Sequence, residues 1–185
     1  MNPWRTLDSK IVYSNPWMVL REDKVIRPDG AEGIYGVVEM PLSCGIVAID
    51  DRDQIAMVSQ WRYTLGKMSV EIPTGGAAQG ELPLDAAKRE LSEETGLSAA
   101  SWTHLGTIDN SNGVTTDVAH MFLAQQLSTG PMNLQGDEQL ELHWMNFADA
   151  VSSVMAGEIT ESVSVAAILK TELLRLKDRS ALPEH

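Results

Sequence analysis

From Gly75 to Leu97 the chain carries Gly75, Glu81, Arg89-Glu90-Leu91, Glu93-Glu94 and Gly96-Leu97 at spacings that a loop followed by a helix reconciles. Pro83 suits the first helical turn, Gly96 is a natural stop, and Leu84, Ala87 and Leu91 recur between them at helical spacing. On that helix Glu90 and Glu94 lie one turn apart on a single face, and Glu93, three residues from Glu90, joins the same edge. The edge runs beside the Leu84/Ala87/Leu91 stripe, so the acids come to the border of the core. Like charges this close repel unless a cation intervenes. Arg89 offsets Glu93 at i,i+4. The acidity left over suits a hard divalent cation such as Mg²⁺, which takes oxygen ligands and binds diphosphates together with carboxylates. The loop over residues 73–80 is rich in small residues that let backbone carbonyls or amides approach a ligand. Acid pairs on helices are mostly solvated surface. Here seven fixed identities and two apolar positions would coincide by chance about once in 10⁹ starts, which favours a cation and phosphate site over an accidental acidic face.

The rest of the chain predicts what surrounds this unit. Its 185 residues suit one domain with at most a small appendage. Ile11-Val12-Tyr13, Met18-Val19-Leu20 and Tyr35-Gly36-Val37-Val38, separated by Ser14-Asn15-Pro16 and Arg27-Pro28-Asp29-Gly30, predict an antiparallel unit over residues 10–40. Residues 45–49 and 55–58 flank a polar turn at 50–53 and predict a hairpin. Strands are expected at 102–108, 117–124 and 140–145, and a helix near 148–156 closed by Gly157. A last helix is expected over about 161–177, with Thr160 as N-cap and Val165, Ile168, Leu169, Leu173 and Leu176 as its apolar stripe. Many strands with few helices imply a mixed α/β or α+β layered fold.

Charge and composition narrow the function. A formal net charge of −12 argues against a nucleic-acid partner, because such proteins carry a basic face. It leaves room for a small phosphorylated substrate reached through cations. The apolar runs fall far short of the ~20 residues a membrane span needs, and the N-terminus lacks a basic run followed by an apolar stretch. A single cysteine, Cys44, excludes an internal disulfide. A cytoplasmic protein is expected.

The stretch at 75–97 resembles the Nudix box, G-x5-E-x7-R-E-U-x-E-E-x-G-U with U a bulky aliphatic residue, and meets every specified position. The resemblance implies a Nudix hydrolase: an α/β/α sandwich with a mixed sheet, acting on a nucleoside diphosphate linked to another group. It implies Glu90, Glu93 and Glu94 as metal ligands, Mg²⁺ as the cofactor with Mn²⁺ as a substitute, and Arg89 as the residue that orients the acids, chiefly through Glu93. Gln60-Trp61-Arg62 and Glu71-Ile72-Pro73-Thr74-Gly75-Gly76 are similar to the ADP-ribose and nucleotide-sugar pyrophosphatase branch. That similarity implies substrate contacts at Arg62, Glu71 and Gly76 and a metal-ligating carbonyl at Thr74. It also implies a small antiparallel β subdomain over residues 1–41 that dimerises, ahead of a Nudix domain over 42–185, with each active site borrowing residues from its partner.

Residues 108–114 contain no proline, where ADP-ribose specialists of this branch usually carry one. That directs the expectation toward nucleotide sugars such as GDP-mannose, or a wider range that includes ADP-ribose, cut to a nucleoside monophosphate and a sugar 1-phosphate. A loop at 136–141 implies a further acid that ligates metal or serves as base: Glu138 matches best, with Asp137 and Glu141 as rivals and a box glutamate such as Glu93 as the alternative base. Trp17 and Tyr35 are candidates for stacking a base, against simple packing. His104, His120 and His143 show no metal-ligand spacing and read as structural. The rival functions are a Nudix regulator that binds such a ligand without cutting it, and a house-cleaning nucleoside triphosphate pyrophosphatase.

Overall fold

A computed structural model describes residues 2–131 and 140–180. In chain order the elements are β1 (Arg5–Ser14), β2 (Val19–Ile26), β3 (Glu32–Glu39), β4 (Ser43–Ala48), β5 (Gln54–Arg62), β6 (Lys67–Glu71), β7 (Thr74–Gly76), α1 (Pro83–Thr95), β8 (Leu97–Asp109), β9 (Val118–Thr129), β10 (Glu141–Asn146), α2 (Phe147–Ala156) and α3 (Ser162–Ser180). They divide into two units, described separately.

The first unit comprises the chain up to Leu42 together with Asp109–Val118. Its sheet runs β1-β2-β3, antiparallel throughout, from Arg5↔Ile26 to Ser14↔Val19 and from Val19↔Glu39 to Ile26↔Glu32. The β1–β2 turn is held by Asn15, whose side-chain oxygen accepts from the backbone N–H groups of Trp17 and Met18, each at 2.8 Å. The distant segment joins through Val38 N–H to Val114 O (2.8 Å), Thr116 N–H to Val38 O (3.0 Å) and the Tyr35 hydroxyl to Gly113 O (2.8 Å). Nothing in the sequence of residues 109–118 announces that membership, because it rests on pairing across more than seventy residues. β1 is exposed along its whole length, Ile11 by 68%.

The second unit is built on two sheets, β7-β4-β9-β8 and β10-β5-β6. β4 pairs antiparallel with β7 and parallel with β9, so this is a mixed sheet. The two apolar runs around residues 50–53 do not form the expected hairpin. The turn is present, with Asp50 N–H to Gln54 O at 2.9 Å, but only the isolated bridge Ile49↔Ile55 joins the two strands before β4 and β5 enter different sheets. Both runs are buried on both faces, so each belongs inside a sheet with helices against it. α1 lies against β4 and β7, α3 against β4, and α2 against α3 and β10. Val47, Ile55, Met57, Ile72, Met121, Phe147 and Ile168 are central members of the main core.

α3 corrects two expectations. It begins at Ser162, and the Glu161 carboxylate rather than Thr160 caps it, accepting from the N–H groups of Val163 (2.9 Å) and Ser164 (2.6 Å). Of its expected stripe, Ile168 is buried and Val165 and Leu169 pack on the core, while Leu173 and Leu176 are exposed; its buried face is Val163, Ser164, Ala167, Ile168 and Thr171.

Candidate active site

α1 forms as its sequence dictates. Pro83 occupies the first turn, and Gly96 closes the helix in the left-handed region (φ 68°), donating its N–H to Ser92 O at 2.9 Å. Thr95 adds a hydroxyl bond to Leu91 O at 2.5 Å. Leu91, with Ala86 and Ala87, is fully buried, and that leucine alone contributes about 2 kcal/mol of burial. The packing fixes which way the acidic edge faces.

Three carboxylates, Glu81, Glu90 and Glu93, meet there around one guanidinium. Arg89 donates Nε to Glu81 (3.0 Å) and Nη2 to the other Glu81 oxygen (2.9 Å), Nη1 to Glu90 (2.7 Å) and Glu93 (2.9 Å), and Nη2 also to the Gly76 carbonyl (2.9 Å). The arginine gathers these acids, and its two-pronged partner is Glu81 and not Glu93. Glu81 lies eight residues away, a separation bridged only because the loop folds back and Ala78 N–H binds the same carboxylate at 2.8 Å. These contacts, the Arg89 hydrogen bonds first, hold Glu81 down to about 2, and they raise Arg89 above its ordinary value.

Glu94 is buried, 4% exposed, and accepts from Thr74 N–H at 3.1 Å. The box helix is thereby tied to β7, and Thr74 sits against the carboxylate it was expected to share a cation with. Glu90 lies against Gly75 so closely that a Cβ on that residue would overlap its carboxylate. The first glycine of the motif is thus a space requirement set by the acid fifteen residues on. Beside it, Cys44 is buried and its thiol, 3.5 Å from Gly75 O, is pushed up to about 12 by burial and then by Glu90, which leaves it an inert neutral group.

Glu71, 1% exposed, accepts from Arg62 Nε at 2.9 Å and from Arg62 Nη2 through its second oxygen. The pair lines an open cavity of about 430 Å³ together with Thr64, Leu65, Lys67, Thr160 and Glu161. Glu71 thus positions Arg62 from beneath, and Arg62, with Lys67, presents positive charge to the cavity. A smaller cavity of about 150 Å³ between α2 and α3, lined by Phe147 and Arg175, holds none of these residues. In the first unit Trp17 is 73% exposed, and Tyr35 packs edge-on to Trp4 with ring centroids 5.3 Å apart. Glu141 begins β10, opposite Ser59. Glu138 and Asp137 lie outside the described residues.

Sequence reasoning passed over Ser164. Its hydroxyl accepts from Ile72 N–H at 3.0 Å and donates to Glu161 at 2.7 Å, anchoring the Glu71–Thr74 segment to α3. A glutamate directly before Ser162-Val163-Ser164 was the available signal for that cap.

Comparison with known proteins settles the lineage. A NUDIX domain model matches residues 40–164, and a model described as the nucleoside diphosphate sugar hydrolase N-terminal domain matches residues 4–38. The chain is a member of the Nudix hydrolase family. Two relatives are each named ADP-ribose pyrophosphatase: one from Mycobacterium tuberculosis, 34% identical over 90% of this chain and 82% of the relative, and one from Bacillus subtilis, 31% identical over 94% of each. A methanol dehydrogenase activator from Bacillus methanolicus is 30% identical over 91% of this chain and 92% of its own. In fold, the Nudix chain matches a crystal structure of an ADP compounds hydrolase, with a TM-score of 0.84, 19% identity and 97% of both chains covered.

Nudix hydrolases generally use divalent cations such as Mg²⁺. The donor set fits such an ion in type and charge. Glu90, Glu93 and Glu94 offer only oxygen, and they lie in the C-terminal half of α1, whose last turn holds no basic residue. One arginine faces three carboxylates. Among the described residues no three His, Cys, Asp or Glu side chains converge on a single point, the acids being gathered on Arg89 instead. Among the same residues no helix is long and apolar enough to cross a membrane.

Proposed function

We propose that this Nudix hydrolase is an Mg²⁺-dependent pyrophosphatase that cuts the diphosphate of a nucleoside diphosphate sugar, of ADP-ribose or GDP-mannose type, to a nucleoside monophosphate and a sugar phosphate. The observation that carries it is the box itself: three carboxylates held by Arg89 and locked to β7 through Glu94 and Thr74. Glu90, Glu93, Glu94 and the Thr74 carbonyl would hold the cations, with Mn²⁺ able to replace Mg²⁺. Bound there, divalent cations neutralise diphosphate charge and make water a better nucleophile at neutral pH. A carboxylate, Glu93 or Glu138, takes the proton as the water oxygen bonds to phosphorus and the bridging P–O bond breaks. Arg62, fixed by Glu71, binds an anionic or hydroxyl-rich part of the substrate in the cavity beside it, and Gly76 lets the loop backbone come close. Trp17 and Tyr35 are the proposed base-stacking residues, and the protein is read as cytoplasmic.

The relatives named ADP-ribose pyrophosphatase weigh toward ADP-ribose within that class. The test is a rate panel of ADP-ribose, GDP-mannose, UDP-glucose, dATP and dGTP at one Mg²⁺ concentration. A nucleotide sugar leads any triphosphate by about 10-fold in kcat/KM or more, because a triphosphate has no second ring to bind. A leading triphosphate overturns the substrate class, and a ligand bound tightly but never cut overturns the enzyme in favour of a regulator.

We further propose a homodimer formed through the N-terminal sheet, on the grounds that β1 is an uncovered edge strand bearing Leu7, Ile11 and Tyr13. Sedimentation of the full chain at micromolar concentration then gives twice 20.2 kDa, and an active monomer overturns it.

A further inference from the structure

We propose that His104 on β8 and His120 on β9 form a second cation site, built from two imidazoles and suited to a borderline-soft divalent ion such as Zn²⁺, Ni²⁺ or Cu²⁺. The site is separate in chemistry from the all-oxygen cluster of the box. Sixteen residues part the two histidines in sequence, so no ligand spacing flags them. The sheet brings them together: His120 Nδ1 and His104 Nε2 share a hydrogen bond at 3.4 Å, with ring centroids 5.5 Å apart and planes inclined by 30°, and a cation would take the place of the shared proton. Two nitrogens each about 2.05 Å from a tetrahedral ion sit about 3.3 Å apart, so the pair already stands at a chelating separation.

The surroundings favour a preset pair. His104 rests on the Phe122 ring at 5.1 Å, and Trp102 packs edge-on to that ring at 6.2 Å, so His104 is braced while remaining open to solvent. His120 is half-buried. Burial first, and His104 second, hold it below the ordinary histidine range, so it meets a cation as the neutral ligand. Across the sheet, Gly75, Cys44 and His120 stand in one row by register. Cys44 does not join the pair, since its sulfur is engaged at Gly75 O. Neutral imidazole prefers the later first-row ions, whereas the box carboxylates prefer Mg²⁺ or Mn²⁺, so the two sites sort cations by donor type.

The test titrates Zn²⁺ into the full-length chain in excess Mg²⁺, reading heat of binding and Tm. Wild type binds Zn²⁺ and gains thermal stability, with Cu²⁺ tighter still. His104→Ala and His120→Asn each weaken Zn²⁺ by at least ~10-fold while their metal-free melting and Mg²⁺-dependent turnover stay as in wild type. Should a variant fold poorly, the wild-type imidazole nitrogen resonances decide: Zn²⁺ shifts those of His104 and His120 and leaves those of His143. Zn²⁺ that produces no shift in wild type, or binds both variants as tightly as wild type, overturns the proposal; the latter result would place the ion on the carboxylates.

Discussion

Arg89 and Arg62 are both arginines gripped by glutamate, and they are gripped in opposite ways. Arg89 spends its donors on Glu81, Glu90, Glu93 and the Gly76 carbonyl, contributed by α1, the loop before it and the end of β7. Arg62 is held by the single carboxylate of Glu71, which is buried, while its own side chain is 38% exposed at a cavity. A guanidinium saturated by several acids is a framework cation: it lets like charges sit together and fixes where they point. A guanidinium clasped from one side by a buried acid is pre-organised, with its rotamer entropy already spent and a face left for a ligand. Charge alone would not separate the two roles; the number and burial of the partners does.

The largest effect that follows is on turnover. Arg89→Ala leaves Glu81, Glu90 and Glu93 without their shared cation and free to splay, so kcat should fall by about 100-fold with KM little changed. Steady-state kinetics at saturating Mg²⁺ check this, and a drop confined to KM would break the contrast. Arg62→Ala should do the reverse, raising KM by about 10-fold, the scale of one lost charge-assisted hydrogen bond, with kcat largely kept. If Arg62→Ala costs more in kcat than Arg89→Ala, the framework and the ligand-facing arginine have been assigned the wrong way round.

The smallest effect is on acid stability. Glu81 is held down to about 2 from 4.5, chiefly by the Arg89 hydrogen bonds. Its contribution is whole above 4.5 and is lost as the pH falls through about 2, because within that window the unfolded chain binds a proton that the folded one refuses. Denaturant melts between these pH values should show wild type losing stability toward acid more steeply than Glu81→Gln. Parallel slopes would mean that Arg89 does not hold Glu81 in solution.

What could be read in advance was whatever the chain encodes within a helical turn or two. α1 runs from Pro83 to Thr95 and stops at Gly96 because proline, an apolar repeat and a glycine act locally. The acidic edge follows from helix geometry, and the motif that carries it is what resembles the family. Other features needed the folded chain, because they depend on strands that meet far from their sequence neighbours. Residues 50–53 made a turn as expected, yet the runs beside it entered different sheets, since each is apolar on both faces and a local signal cannot choose its layer. Glu71 was legible as a candidate contact but not as a buried acid, and Glu161 was hidden behind Thr160 as the helix cap. His104 and His120 read as two isolated histidines, until neighbouring strands set their rings side by side. The sequence by itself determined which charges lie on one helix and therefore what reaction they suit. Only the tertiary structure decided which of them face each other, because side-chain proximity across a sheet is a property of register and not of spacing along the chain.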